Sequence, residues 1–245
     1  MRPLHRCIHR SLAAACVAGT VALSACTPLH ADDPPVAAPS SVGSVSPDDD
    51  ATSHHSFEDV GKWAKVFDDP ARDEWQKPQA LVQALKLARG ARVADLGAGT
   101  GYFSGYLSKS VGNEGTVFAV DTEPNLVVHL RERAEHEKTP NVVPILASPD
   151  NPRLPAAGVD LVLIVDTYHH IDGRRDYFRR LHHSLTDNGR VAIIDWYKRE
   201  LPVGPPPSHK LAREQVLEEM GAAGYVLVEE PSVLPYQYFL IFRPR

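Results

Sequence analysis

Three glycines separated by single residues follow an acid at the end of an apolar run: Val93-Ala94-Asp95-Leu96-Gly97-Ala98-Gly99-Thr100-Gly101. Residues without side chains let a backbone come close to a ligand and take positive φ angles. A helix opening just after such a turn aims its first N–H groups at the same ligand. The spacing narrows the ligand. A dinucleotide fingerprint, G-x-G-x-x-G, needs its third glycine at 102, where this chain has Tyr102, so a nicotinamide oxidoreductase is not expected. Asp95 would repel a pyrophosphate and attract a cationic ligand carrying an ammonium and a ribose. Asp95, Gly97, Ala98, Gly99 and Gly101 are therefore the first candidate ligand contacts.

Two further clusters carry chemistry. Asp121 closes the next apolar run, and a carboxylate there can accept from both hydroxyls of a ribose. The alternative for Asp121 is an N-cap on the helix that opens at Pro124, a role that Thr122 serves as well; Thr122 beside it is a further candidate cofactor contact. Farther on, Leu161-Val162-Leu163-Ile164-Val165 runs into Asp166-Thr167-Tyr168-His169-His170. In open α/β sheets, ligands lie beyond the carboxyl ends of the central strands. Imidazole titrates near neutrality, so His169 or His170 can act as a base, with Tyr168 lining the acceptor pocket and Asp166 on the cofactor side. The alternative is a histidine that only bonds backbone. No metal is expected, because adjacent histidines seldom ligate one ion.

These residues must be positioned by alternating elements. Strand-length apolar runs fall at 92–96, 116–121, 141–146, 159–166, 190–195, 225–230 and 238–242. Helical patterns fall at 101–111, 124–138, 172–186 and 208–223. Strands apolar on both faces are those of a parallel sheet covered by helices on each side. The spacing predicts a doubly wound α/β fold with a mostly parallel seven-stranded sheet. The short Pro-containing link before the last strand reverses it. An N-terminal helical layer, 57–66 and 78–88, precedes the first strand. Between its helices, 67–78 reads equally as a lid over the site or as a capped connector. Tyr102 is placed to stack on a ligand, and Phe103 to pack in the core.

Taken together, these motifs resemble the class I S-adenosylmethionine-dependent methyltransferases. The turn from Asp95 to Gly101 is similar to their first motif, and Asp121 to their ribose-binding acid. Asp150-Asn151-Pro152-Arg153-Leu154-Pro155 resembles the Asp-x-x-x-Leu-Pro element of small-molecule methyltransferases, whose acid accepts from the adenine amine. Ser148 and Pro149 depart from that pattern just before the acid. The stretch 67–242 is similar to a bacterial lipoprotein-type group. The resemblance implies a Rossmann-like sheet with a reversed edge strand, S-adenosylmethionine as cofactor, and methyl transfer to a small-molecule acceptor. Such a displacement asks the enzyme mainly to position and desolvate. A noncatalytic lipoprotein that keeps the nucleoside pocket is the competing reading.

The N-terminus concerns location. Arg2, Arg6 and Arg10 precede an uncharged apolar run that ends in Leu23-Ser24-Ala25-Cys26, which resembles a lipobox. The expected organisation is a signal peptide at 1–25, a Pro/Ala/Ser/Asp-rich tether at 26–53, and a catalytic domain at 54–245. A lipid on Cys26 would then fix the protein to the cell envelope, on the periplasmic face of the outer membrane. An ordinary cleaved signal is the alternative. All three cysteines lie at or before position 26, so the domain has neither disulfide nor thiolate chemistry. That speaks against a resemblance to arsenite methyltransferases. Without the three arginines of 1–25, 23 basic face 31 acidic residues, net −8, which suits nucleic acid poorly. Export would separate the enzyme from a cofactor made in the cytoplasm, so an exported form requires a supply route.

Overall fold

The computed structural model describes residues 59–245. The leader, Cys26, the tether, His54-His55 and the first residues of the predicted 57–66 helix lie outside the described residues. Seven strands form one sheet: β1 (Arg92–Leu96), β2 (Thr116–Asp121), β3 (Val142–Leu146), β4 (Val159–Val165), β5 (Leu185–Trp196), β6 (Tyr225–Glu229) and β7 (Gln237–Pro244). Their order is β3-β2-β1-β4-β5-β7-β6. Neighbours from β3 to β5 run parallel, whereas β7 is antiparallel to both β5 and β6. The seven residues between β6 and β7 are too few for a parallel crossover, so β7 must return in the opposite sense.

Among the described residues seven α-helices accompany the sheet: α1 (Val60–Phe67), α2 (Arg72–Gln76), α3 (Pro78–Ala84), α4 (Tyr102–Val111), α5 (Pro124–His136), α6 (Arg174–Leu181) and α7 (Arg213–Ala222). Alternation along the strands divides the core between the two faces. Ala94, Leu96, Val162, Ile164, Ile193 and Leu240 pack with Phe178 of α6 and Met220 of α7. Val93, Leu161, Leu163, Ile194 and Phe239 pack with Leu81 of α3 and Leu107 of α4. The rim strand β3 carries Pro144 between exposed Val143 and Leu146. Among the described residues no helix is long and apolar enough to cross a membrane.

The differences from expectation lie at element ends. The predicted 172–186 helix breaks at Leu181 into a 3₁₀ turn, and β5 starts at Leu185 rather than 190. That early start pairs Leu185 with Val159 across an irregularity in the ladder, a tertiary contact that overrides local propensity. The predicted 208–223 helix begins only at Arg213, because three prolines before Ser208 hold 207–209 in a separate 3₁₀ turn. The short helix α2 interrupts what reads as a continuous connector.

Candidate active site

The strand order reverses between β1 and β4, the point at whose carboxyl ends open α/β sheets place their ligands. The loops after these two strands meet there. Gly97 has φ +75°, and a β-carbon on it would stand 2.3 Å from the Thr167 side chain. Close approach of the two loops, rather than a ligand, thus demands that glycine. Gly101, at φ +90°, opens α4 against Leu130. Gly99 differs: its open side faces only the Phe67 ring, and a β-carbon added there would rest 3.5 Å from that ring. Ala98 is buried, and its N–H bonds Val120 O at 3.0 Å, tying the turn to β2.

Asp121 braces the turn from below. Its Oδ2 accepts from Gly99 N at 2.8 Å and its Oδ1 from Glu123 N at 3.0 Å. Burial raises its pKa while these backbone donors pull it back. A carboxylate offers about four acceptor directions, so capacity remains for ribose hydroxyls. Thr122 is exposed beside it. Asp95 points instead to α4, buried, with Ser104 Oγ donating to it at 2.7 Å. Burial pushes Asp95 up to about 6, with the Asp121 charge adding to the rise. Asp150 lies exposed in a tight turn closed by Ser148 and Asn151, and Ser148 Oγ donates to its carboxylate at 2.9 Å.

After β4, Asp166 stands in a left-handed conformation, φ +53°. Gln237 Nε2 donates to it at 2.5 Å and the Arg72 guanidinium lies 3.6 Å away. Burial raises Asp166 to about 7, opposed by Arg72 and reinforced by Asp195. A carboxyl raised in the folded state adds stability at low pH that is lost as the pH climbs through that value. Asp166→Asn should therefore reduce the fall in thermal midpoint between about pH 4 and 7. An unchanged slope would show that Asp166 does not titrate in this window.

His169 Nδ1 sits 2.9 and 3.1 Å from the two carboxylate oxygens of Asp195, which is wholly buried at the end of β5. Burial lowers the His169 pKa, but Asp195 and then Asp166 outweigh it, and the net shift is upward. The His170 ring is 4.1 Å from that of His169 and exposed.

One expected site residue moves to another role. Tyr168 is fully buried, stacks on Phe178, and donates its hydroxyl to Glu219 at 2.9 Å, so it belongs to the core and not to an acceptor pocket. The Tyr102 ring face is covered by the Arg72 guanidinium at 4.4 Å rather than left open for stacking. Among the described residues no three His, Cys, Asp or Glu side chains are grouped as a metal would require. Sequence reasoning passed over Asp195, although a carboxylate ending the wholly apolar run 191–194 is a visible signal. It also passed over Arg72 and Gln237, which meet Asp166 only through folding, and Gln76, which reaches it through Gln237.

A parallel sheet with one reversed strand, a glycine turn bonded to an acid at the end of β2, and a polar loop after β4 define the Rossmann-like methyltransferase architecture. Residues 93–189 match the family described as "Methyltransferase domain". A solved S-adenosylmethionine-dependent methyltransferase from Aquifex aeolicus superposes with a TM-score of 0.71 at 29% identity, covering 75% of this chain and 97% of the other. The protein-L-isoaspartate O-methyltransferase of Ignicoccus hospitalis is 31% identical over 34% of this chain and 40% of its own length. Aklanonic acid methyltransferase DauC of a Streptomyces species is 25% identical over 57% and 64%. The chain thus spans less than two thirds of either curated relative. The fold is that of the S-adenosylmethionine-dependent methyltransferases, and the turn and Asp121 fit that nucleoside.

Proposed function

We propose that this protein is an S-adenosylmethionine-dependent methyltransferase acting on a small-molecule acceptor, carried on the cell envelope by a lipid on Cys26. The observation that carries the enzymatic part is the His169–Asp195 pair, which joins the loop that touches the cofactor turn to the end of β5. When bound, the cofactor supplies an electrophilic methyl group. Gly99 and Asp121 hold the nucleoside, and Asp150 is the candidate contact for its adenine. Asp195 fixes the imidazole through Nδ1, leaving Nε2 to take a proton from the acceptor. The Tyr238 hydroxyl, across the strand pair from Asp195, is buried without a hydrogen-bond partner. A buried hydroxyl left unpaired costs about 1–3 kcal/mol, which an acceptor oxygen placed against it would offset. A protein that only bound nucleoside would have no use for a held base.

The acidic body and the paired base favour a small molecule over nucleic acid. The aklanonic acid methyltransferase among the relatives points the same way. For the anchor, the support is the apolar run before Leu23-Ser24-Ala25-Cys26. Native mass spectrometry of the full chain tests both parts at once. The expected spectrum shows bound S-adenosylhomocysteine and a mature chain starting at an acylated Cys26. A chain that starts elsewhere without lipid would remove the anchor alone. Calorimetry with no heat for S-adenosylhomocysteine would remove the enzyme.

A further inference from the structure

Glu219 of α7 has every acceptor direction filled. Its Oε2 accepts from the Tyr168 hydroxyl at 2.9 Å and from Arg174 Nε at 2.7 Å. Its Oε1 accepts from Arg174 Nη2 and from Gln215 Nε2, each at 2.9 Å. A carboxylate offers about four such directions, and four donors take them. Arg174 closes on it with both arms of its fork, the geometry that fixes a guanidinium most firmly. Burial raises the Glu219 pKa, yet the bonds from Arg174, Gln215 and Tyr168 outweigh it and the net shift is downward. Glu219 is therefore ionised at neutral pH, and the Arg174 charge is matched.

These bonds end on both sides of His169. Tyr168 opens the 3₁₀ turn Tyr168–His170, and its ring packs on Phe178 with centroids 5.2 Å apart. Ile171 follows the turn, and Arg174 Nη1 donates to its carbonyl at 3.1 Å. One carboxylate thus holds the turn ahead of the histidine through Tyr168 and behind it through Arg174. Asp195 holds the ring through Nδ1, whereas the backbone that carries the ring is held from α7. Around the imidazole stand Asp195 of β5 and Asp166 after β4, which favour its charged form, and Arg174 of α6, which opposes it. The His170 ring lies alongside, and the Tyr238 hydroxyl of β7 sits among Asp195, Asp166 and Glu219.

We propose that Glu219 is a positioning residue for His169. It fixes the turn that carries the imidazole, and it cancels an Arg174 charge that would otherwise act on the ring unopposed. The role rests on the reading of His169 as the base. A contact that served packing alone would cost stability whichever partner was removed, with no sign attached to the charge. A charge pair beside a titrating ring acts in opposite directions. Without Glu219 the Arg174 cation disfavours the imidazolium; without Arg174 the Glu219 anion favours it.

The test uses the full chain and needs neither cofactor nor acceptor. NMR titrates the His169 ring, and hydrogen exchange follows the amides of 168–171. Glu219→Gln should move the ring midpoint down and Arg174→Gln should move it up. Each shift should be a roughly threefold change in the protonation constant, about half a pH unit. The two substitutions together should restore the parent midpoint. Tyr168→Phe keeps the charge pair and the packing on Phe178 but loses the hydroxyl bond. It should leave the midpoint in place while exchange at 168–171 quickens, as it also should in Glu219→Gln. Midpoints that move the same way in both single variants, or in neither, overturn the proposal, and so does unaltered exchange in Glu219→Gln. Methyl transfer undiminished in His169→Ala would remove the base reading while these shifts remained, so the two fail separately.

Discussion

Asp121→Ala should weaken S-adenosylhomocysteine binding by about 1.5–3 kcal/mol, roughly 10- to 150-fold, the range for hydrogen bonds to a charged group. The carboxylate acts twice. It holds the cofactor turn through the Gly99 N–H at 2.8 Å, and its remaining acceptor directions are expected to receive the ribose hydroxyls. The alanine variant loses both, so the upper half of the range is expected. Asp121→Asn separates the two roles. The amide keeps one carbonyl oxygen for the Gly99 N–H but gives up the paired acceptors, so its loss should be intermediate. Isothermal calorimetry decides the matter. Equal affinities in all three proteins would mean that Asp121 neither holds the turn for the ligand nor meets the ribose.

His169→Ala should reduce methyl transfer to an acceptor with an O–H or N–H group about 10²- to 10⁴-fold, the usual contribution of a positioned base. Cofactor binding should hardly change. The sign of the pH dependence comes from the neighbours of His169: Asp195 and Asp166 favour the charged imidazole, while Arg174 and burial oppose it. The net shift is upward from 6.5. Because the base works neutral, the rate should rise with pH through a midpoint above that value. Asp195→Asn removes the charge that holds the midpoint up, so the midpoint should move to lower pH while the plateau rate falls with the lost orientation. Titrating the His169 ring by NMR gives the same midpoint without any acceptor. A midpoint that stays put in Asp195→Asn would separate the two residues functionally.

Much of this is legible in the sequence because the signals are local. The glycine turn, its preceding acid and Asp121 stand at the ends of apolar runs, and the strands that carry them form where the runs are. β1 and β2 match residue for residue. The reversal of β7 is written in the length of the link before it. Tyr168 departs from expectation because its hydroxyl is satisfied by Glu219, 51 positions away. No spacing in the sequence announces that bond. The same holds for Gln76 and Gln237, 161 positions apart, and for Arg72 beside Asp166. Element ends shift where prolines or a paired strand overrule propensity, as at Ser208 and Leu185.

The rim of the sheet has a consequence for the protein in a crowd. Among the described residues β3 has a neighbour on one side only, and its other side, on a strand with Val143 and Leu146 in solvent, invites another chain to continue the ladder. Pro144 sits in the middle of that strand and lacks an amide hydrogen. A second molecule that tried to add itself there would find the row of donors interrupted at its centre. The sheet is thereby kept from growing into a fibre through this edge.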